Sequence, residues 1–235
     1  MSTFRAPEKM SDEVYDDAKI IRSWTRNAAP WTAAVREGAI ESRRLATDGA
    51  IIDAVLSRSP ARVLDIGCGE GWLARALAAR DIEVVGVDAI PSLVEAARAS
   101  GGGDFRVMSY EEIAAGKLAL SVDAIVCNFS LIGRESVERL IESAPALLNP
   151  QGSLIAQTLH PLISCSALPY RDGWRDGSWA GFDGEFTDPA PWYFRTIESW
   201  MSLFAKSGFR STEIREPIHP ETQKPASIIF TARVY

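Results

Sequence analysis

The chain has 235 residues, 46% apolar and 24% charged, with a formal net charge of −6. These proportions suit one α/β domain with insertions, and the acidic balance argues against a broad polyanion-binding surface and so against a nucleic-acid partner. Cys68, Cys127 and Cys165 show no C-x-x-C spacing, which speaks against a disulfide framework or a structural zinc site, and no metal is expected. No stretch approaches the roughly 18 apolar residues of a membrane span, and the start has no apolar leader, so a cytoplasmic location is the expectation.

In chain order, residues 1–20 are polar and acidic, with a possible helix start at Ser11-Asp12-Glu13 and a frayed first ten residues. Residues 20–44 bring Trp24, Pro30, Trp31, Arg36, Arg43 and Arg44 together. Two tryptophans beside a proline read either as a packed helix pair or as a cap over a ligand. Ile51, Ile52, Val55 and Leu56 form the apolar face of a helix that Ser59-Pro60 ends. Residues 1–58 are therefore read as an N-terminal helical cap and 59–235 as the main domain.

Val63-Leu64-Asp65-Ile66 has the length of a buried strand, stops at Gly67-Cys68-Gly69-Glu70-Gly71, and gives way to Leu73, Ala76 and Leu77 at helical spacing. Strand, glycine turn and helix form the entry to a nucleotide-type site, because glycines let the backbone approach a ligand and the helix start offers unpaired N–H groups. Glu83-Val84-Val85-Gly86-Val87-Asp88 reads as a second strand whose terminal carboxylate accepts hydrogen bonds from ribose hydroxyls. Gly69-Glu70-Gly71-Trp72-Leu73-Ala74 fits the dinucleotide pattern, but Gly67 has already ended the strand, and in the phase set by Gly67 Trp72 stands where a third glycine belongs. Two further readings stay open: an NAD-dependent oxidoreductase and a non-catalytic module that binds an adenosine-containing cofactor.

Val63 to Gly71 resembles motif I of the class I S-adenosylmethionine-dependent methyltransferases. The resemblance implies S-adenosyl-L-methionine as cofactor. The turn Gly67, Cys68, Gly69 and Gly71, with Asp65 before it, would meet the methionine part, and Asp88 with Ala89 the ribose. Ubiquinone-biosynthesis O-methyltransferases, which this chain is similar to, carry a tryptophan-containing N-terminal segment and then an arginine near the cofactor carboxylate; Arg43 and Arg44 stand at that place, and a guanidinium fork suits two carboxylate oxygens.

Pro91 begins the next helix and Gly101-Gly102-Gly103 closes it as a flexible surface turn. Phe105 to Met108 is a third strand. The resemblance implies that the turn after it contacts the adenine; Ser109 replaces the usual Asp there, and Tyr110 could pack on the ring. Val122 to Asn128 is strand four, and Asn128 reaches the crevice beyond the strand ends, where open α/β sheets bind ligands. An amphipathic helix from Ser136 bends or ends early at Pro145, Asn149-Pro150-Gln151-Gly152 turns, and Ser153 to Leu159 is strand five.

His160 follows at the crevice rim and is the candidate base for a hydroxyl acceptor. Residues 161–195 fit no regular element but are rich in aromatics, which predicts an ordered lid whose Trp174, Trp179 and Trp192, with Trp31, hold a small acceptor. Thr196 to Ser207 is a helix ending at Gly208, and Phe209–Ile214 and Ser227–Val234 are closing strands. The resemblance implies an antiparallel last strand. The expected fold is a doubly wound, mostly parallel, seven-stranded Rossmann-like α/β sheet with helices on both faces, and the expected activity is methyl transfer to an oxygen or nitrogen of a small molecule.

Overall fold

Apolar runs of five or six residues, bounded by glycine, proline or acids, become the sheet in the computed structural model, which describes residues 15–165 and 168–235. The helix start expected at Ser11-Asp12-Glu13 lies outside the described residues. The strands β1 (Arg62–Ile66), β2 (Glu83–Asp88), β3 (Asp104–Val107), β4 (Val122–Asn128) and β5 (Leu148–Thr158) run parallel. A separate antiparallel ribbon pairs β6 (Gly173–Arg175) with β7 (Trp192–Phe194). The main sheet is completed by β8 (Ser211–Arg215) and β9 (Ile228–Arg233), in the order β3-β2-β1-β4-β5-β9-β8. Only β9 opposes its neighbours, pairing antiparallel with both β5 and β8. This is the expected doubly wound architecture, with the order reversing between β1 and β4.

Side chains alternate between the two faces of each strand. One face carries Leu64, Ile66, Val87, Ile125 and Cys127, packed with Leu140, Trp200 and Phe204; it is covered by α6 (Glu135–Ser143) and α8 (Ile197–Lys206). The other carries Val63, Val84, Val126 and Ile155, packed with Ile51, Leu73 and Val94. It is covered by α2 (Asp48–Leu56), α3 (Trp72–Ala78) and α4 (Pro91–Ser100). Continuing the alternation to the strand tips puts Asp65, Asp88, Asn128 and Gln157 on this second face.

Trp24, Pro30 and Trp31 all lie on one helix rather than on a packed pair. α1 (Asp17–Arg36) starts at an Asp16 cap that accepts from the Lys19 amide at 2.6 Å and runs through Pro30. Its buried Asn27 clamps the 161–195 segment at both amide ends: Nδ2 donates to the Thr187 carbonyl at 2.7 Å and Oδ1 accepts from the Thr187 amide at 2.9 Å. Ser23 donates to the Asp188 carbonyl at 2.5 Å, and Tyr15 to Asp176. Residues 161–195 are also less irregular than expected: they hold a short helix, α7 (Pro161–Ser164), and the β6–β7 ribbon. Arg171-Asp172-Gly173 leads straight into β6. Three-residue strands pair only with a distant partner and carry no local period.

In the turn Gly101-Gly102-Gly103 the first glycine stands in open space, whereas the other two lie close against their neighbours. A side chain on Gly102 would meet Arg75 at 2.8 Å, and one on Gly103 the Val84 carbonyl at 2.9 Å. The amphipathic helix shortens as expected, α6 passing into a 3₁₀ turn at Ala144–Leu147, and β5 begins at Leu148, before the Asn149–Gly152 turn.

Candidate active site

The glycine turn closes on the tip of β2. Gly67 and Cys68 amides donate to the Val87 carbonyl at 2.8 and 3.0 Å, and the Gly69 amide donates to Asp88 Oδ2 at 2.9 Å. The Ile90 amide donates to Asp88 Oδ1 at 2.9 Å. Asp88 is thus pinned by backbone donors, with lone pairs left on both oxygens. Burial still pushes its carboxyl above the ordinary range, against the pull of those bonds. Gly71 adopts φ +84°, caps α3, and sits where a side chain would strike the Phe105 ring. Ala89 follows Asp88 and Cys68 is buried, its thiol pushed up first by desolvation and then by Asp65.

Asp65 lies within β1, buried, and its Oδ2 meets no hydrogen-bond partner among the described residues. Desolvation, then the Asp88 charge, pushes its carboxyl up to about 7. The folded state therefore holds a proton on Asp65 that the unfolded chain releases near the ordinary value of 3.8, so stability falls as pH rises from about 4 to about 7 and is level above. Asp65→Asn is expected to raise the unfolding free energy at pH 8, by up to about 4 kcal/mol, with a smaller gain at pH 5. Urea unfolding at the two pH values checks this; equal gains at both would mean that Asp65 does not titrate in that range.

Of the two arginines expected here, Arg43 is buried and Arg44 is exposed. Arg43 opens a π-helical turn, Arg43–Thr47, immediately before α2. Its guanidinium lies 4.6 Å from the Trp72 ring centre and 5.9 Å from that of Trp31, its Nε donates to Asp48 at 2.9 Å, and its buried Nη2 has no partner among the described residues. π-helical turns concentrate at functional sites. Trp72, in the place of a third dinucleotide glycine, is the floor under this guanidinium.

Ser109 makes a capping box at the start of α5 (Tyr110–Ala114): its hydroxyl accepts from the Glu112 amide at 3.2 Å and Glu112 accepts from the Ser109 amide at 3.1 Å. The Ser-x-x-Glu spacing was a signal for this cap. Tyr110 points back beneath the turn, its hydroxyl donating to the Ser130 carbonyl at 2.9 Å. At the tip of β4, Asn128 Oδ1 is buried without a partner, and Phe129 has φ +53°. A bulky residue in the left-handed region is a strained outlier of the kind that collects at functional sites.

His160 is buried beyond β5, its Nε2 2.6 Å from Oε1 of Glu216, which follows β8. A carboxylate only accepts, so Nε2 of the neutral ring carries the hydrogen and the lone pair resides on Nδ1, which is buried and unpartnered. The four tryptophans fall into three groups. Trp31 and Trp179 share a cluster with Trp24, Phe182 and Phe186, with centroids 4.7–6.1 Å apart. Trp174 packs between Tyr15 and Tyr193, and Trp192 lies on Phe194. A side chain built on Gly69 would come 3.8 Å from Trp31 Nε1, so the first cluster roofs the glycine turn.

Glu216, Gln157 and Thr47 escaped the sequence reading. Gln157 alone left a trace, as a polar residue inside the apolar run of β5. Among the described residues, no three His, Cys, Asp or Glu side chains form a metal-binding group, and no helix is long and apolar enough to cross a membrane.

A family model described as a methyltransferase domain matches residues 41–214. A ubiquinone biosynthesis O-methyltransferase of Xanthomonas oryzae is 35% identical over 122 residues, 50% of this chain and 51% of that protein. Its Xylella fastidiosa counterpart is 34% identical over 118 residues, 48% of each; the matches thus span about half the length of these relatives. Among solved structures, a possible histamine N-methyltransferase of Thermotoga maritima superposes with a TM-score of 0.65 at 17% identity, over 91% of this chain and 99% of that one. A Mesorhizobium loti methyltransferase gives 0.59 at 22%, over 77% and 95%. These two likenesses concern the fold.

Proposed function

We propose, on the premise that this chain belongs to the methyltransferase-domain family, that it uses S-adenosyl-L-methionine to methylate a hydroxyl of a small, partly apolar molecule. The residues fit that cofactor. Arg43 Nη2 is an unmet donor suited to a carboxylate, Asp65 Oδ2 and Asn128 Oδ1 are unmet acceptors, and Asp88 keeps lone pairs for the ribose. Gly69 leaves open the space that a side chain would enter. When bound, the cofactor supplies a methyl group already activated by a sulfonium leaving group.

The chain's own residues then have three tasks. The glycine turn, at the methionine part, and Asp88, at the ribose, fix the cofactor, and such positioning can supply on the order of 7–11 kcal/mol of a barrier. The Trp24–Trp31–Trp179 cluster excludes water and offers an apolar wall. His160 takes the acceptor's hydroxyl proton at Nδ1, while its Nε2–H stays bonded to Glu216, which stabilises the imidazolium. The observation that carries the hydroxyl reading is this pairing of a buried, unpartnered Nδ1 with a carboxylate on the opposite nitrogen. The O-methyltransferase names of the half-length relatives support the same choice.

Calorimetry with S-adenosylmethionine, S-adenosylhomocysteine, NAD and NADP tests the class. Micromolar binding of the first pair alone is expected, and binding of NAD alone would move the chain to the oxidoreductases. A panel of phenols and aliphatic alcohols, with amines as controls, then tests the acceptor; methylation of amines only would overturn the hydroxyl reading.

A further inference from the structure

The second face of the sheet holds a set of buried polar atoms whose mismatch has a direction. On the strand tips the unmet atoms are acceptors: Asp65 Oδ2, Asn128 Oδ1 and Gln157 Oε1. The Arg43–Thr47 turn, which leads into α2 on the same face, carries two more unmet groups: Arg43 Nη2, a donor, and the Thr47 hydroxyl. α2, which continues this turn, packs across β4, β5 and β9. Gln157 is fully buried and is the in-register neighbour of Asn128 on β5. Its Nε2 donates to Ser227 Oγ, at the start of β9, at 2.8 Å. With the amide nitrogen committed to the β9 side, the oxygen is left on the side of Asn128. The same two positions are tied through the backbone, since the Phe129 amide donates to the Gln157 carbonyl at 2.8 Å.

A buried acceptor without a donor is costly, and two amide oxygens beside the Asp65 and Asp88 carboxyls call for a cationic group with several N–H bonds. One unmet guanidinium nitrogen nearby calls for an anion. A zwitterionic α-amino acid group satisfies both, which neither a ribose nor an aromatic acceptor does. We infer that Gln157, held by Ser227, is a cofactor-binding residue whose amide oxygen accepts from the ammonium of the cofactor's amino-acid end, beside Asn128. This inference rests on the methyltransferase reading above.

The test is calorimetry with two probes, S-adenosylhomocysteine and 5′-methylthioadenosine, which keeps the nucleoside thioether but lacks the amino-acid end. In Gln157→Met, close in shape and without the amide, affinity for S-adenosylhomocysteine should fall roughly ten- to hundredfold, the range of a hydrogen bond to a charged group. Affinity for methylthioadenosine should hold. Ser227→Ala, which frees the amide to rotate, should give a smaller loss with the same selectivity, and it carries the test if Gln157→Met does not fold. Unchanged S-adenosylhomocysteine affinity in the folded variant, or equal loss of both probes, overturns the role of Gln157 while the methyltransferase reading stands. Failure of the unaltered protein to bind either probe overturns both.

Discussion

Replacing His160 by alanine lowers turnover of a hydroxyl acceptor by about 100-fold, within the range for loss of a general base, and leaves affinity for S-adenosylhomocysteine unchanged. The ring stands beyond β5, outside the glycine turn, so the cofactor loses no contact. The fall arises because no other described histidine can replace it: His219 is held in its own turn, its Nδ1 facing the amides of Glu221 and Thr222 at 3.3 and 3.4 Å. Glu216→Gln separates orientation from mere packing. The amide can offer a hydrogen to Nε2 and so favour the wrong tautomer, with the lone pair turned away from the acceptor. A drop in kcat at steady KM is expected there, with a changed pH profile. Unaltered turnover in His160→Ala would remove the base and leave positioning alone to explain the reaction.

The sequence exposed His160 but not its partner, and the difference is one of distance along the chain. The two residues are 56 positions apart and meet only because β5 and β8 flank β9. Elements with a local cause were legible. Glu83–Asp88 was read to the residue, since an apolar run bounded by a glutamate and an aspartate has few alternatives, and Pro91 and Thr196 marked their helix starts. The glycine turn and Asp88 were legible for the same reason: one strand–turn–helix unit specifies them. The β6–β7 ribbon was not, because Trp174 and Tyr193 pair across 19 residues and neither strand exceeds three. Arg43 and Arg44 were indistinguishable in sequence. The π-helical turn decides between them by rotating one inward onto Trp72.

Gly67→Ala is the substitution expected to cost most in the cofactor site. Gly67 has φ +76°, and a methyl group there would overlap the Ser130 side chain. Ser130 has little freedom to give way, for its hydroxyl donates to the Ile66 carbonyl at 2.7 Å and its own carbonyl holds Tyr110. The left-handed backbone costs about 1–2 kcal/mol and overpacking about 1–3 kcal/mol more. The unfolding midpoint should drop accordingly, and S-adenosylhomocysteine binding should be lost to calorimetric detection. Gly69→Ala is the informative contrast. Its surroundings are open, so only the backbone term applies, yet the methyl enters the ligand's path. Binding should weaken by more than tenfold, while the melting temperature falls by only part of the drop seen in Gly67→Ala. Equal effects of the two substitutions would show that strain alone, and not the space over the turn, governs the site.

The placement of β9 also sets an order of events during synthesis. This strand is drawn from residues 228–233 and sits inside the sheet, against β5 on one side and β8 on the other. Until those residues have left the ribosome, β5 remains an open edge with unpaired backbone groups, a template for pairing with another chain. Contacts across such sequence separations also form slowly. The half of the sheet that carries His160 and Gln157 is therefore completed last, and a nascent chain stalled before Ile228 should bind chaperones and resist neither protease nor aggregation, although its glycine turn is already made.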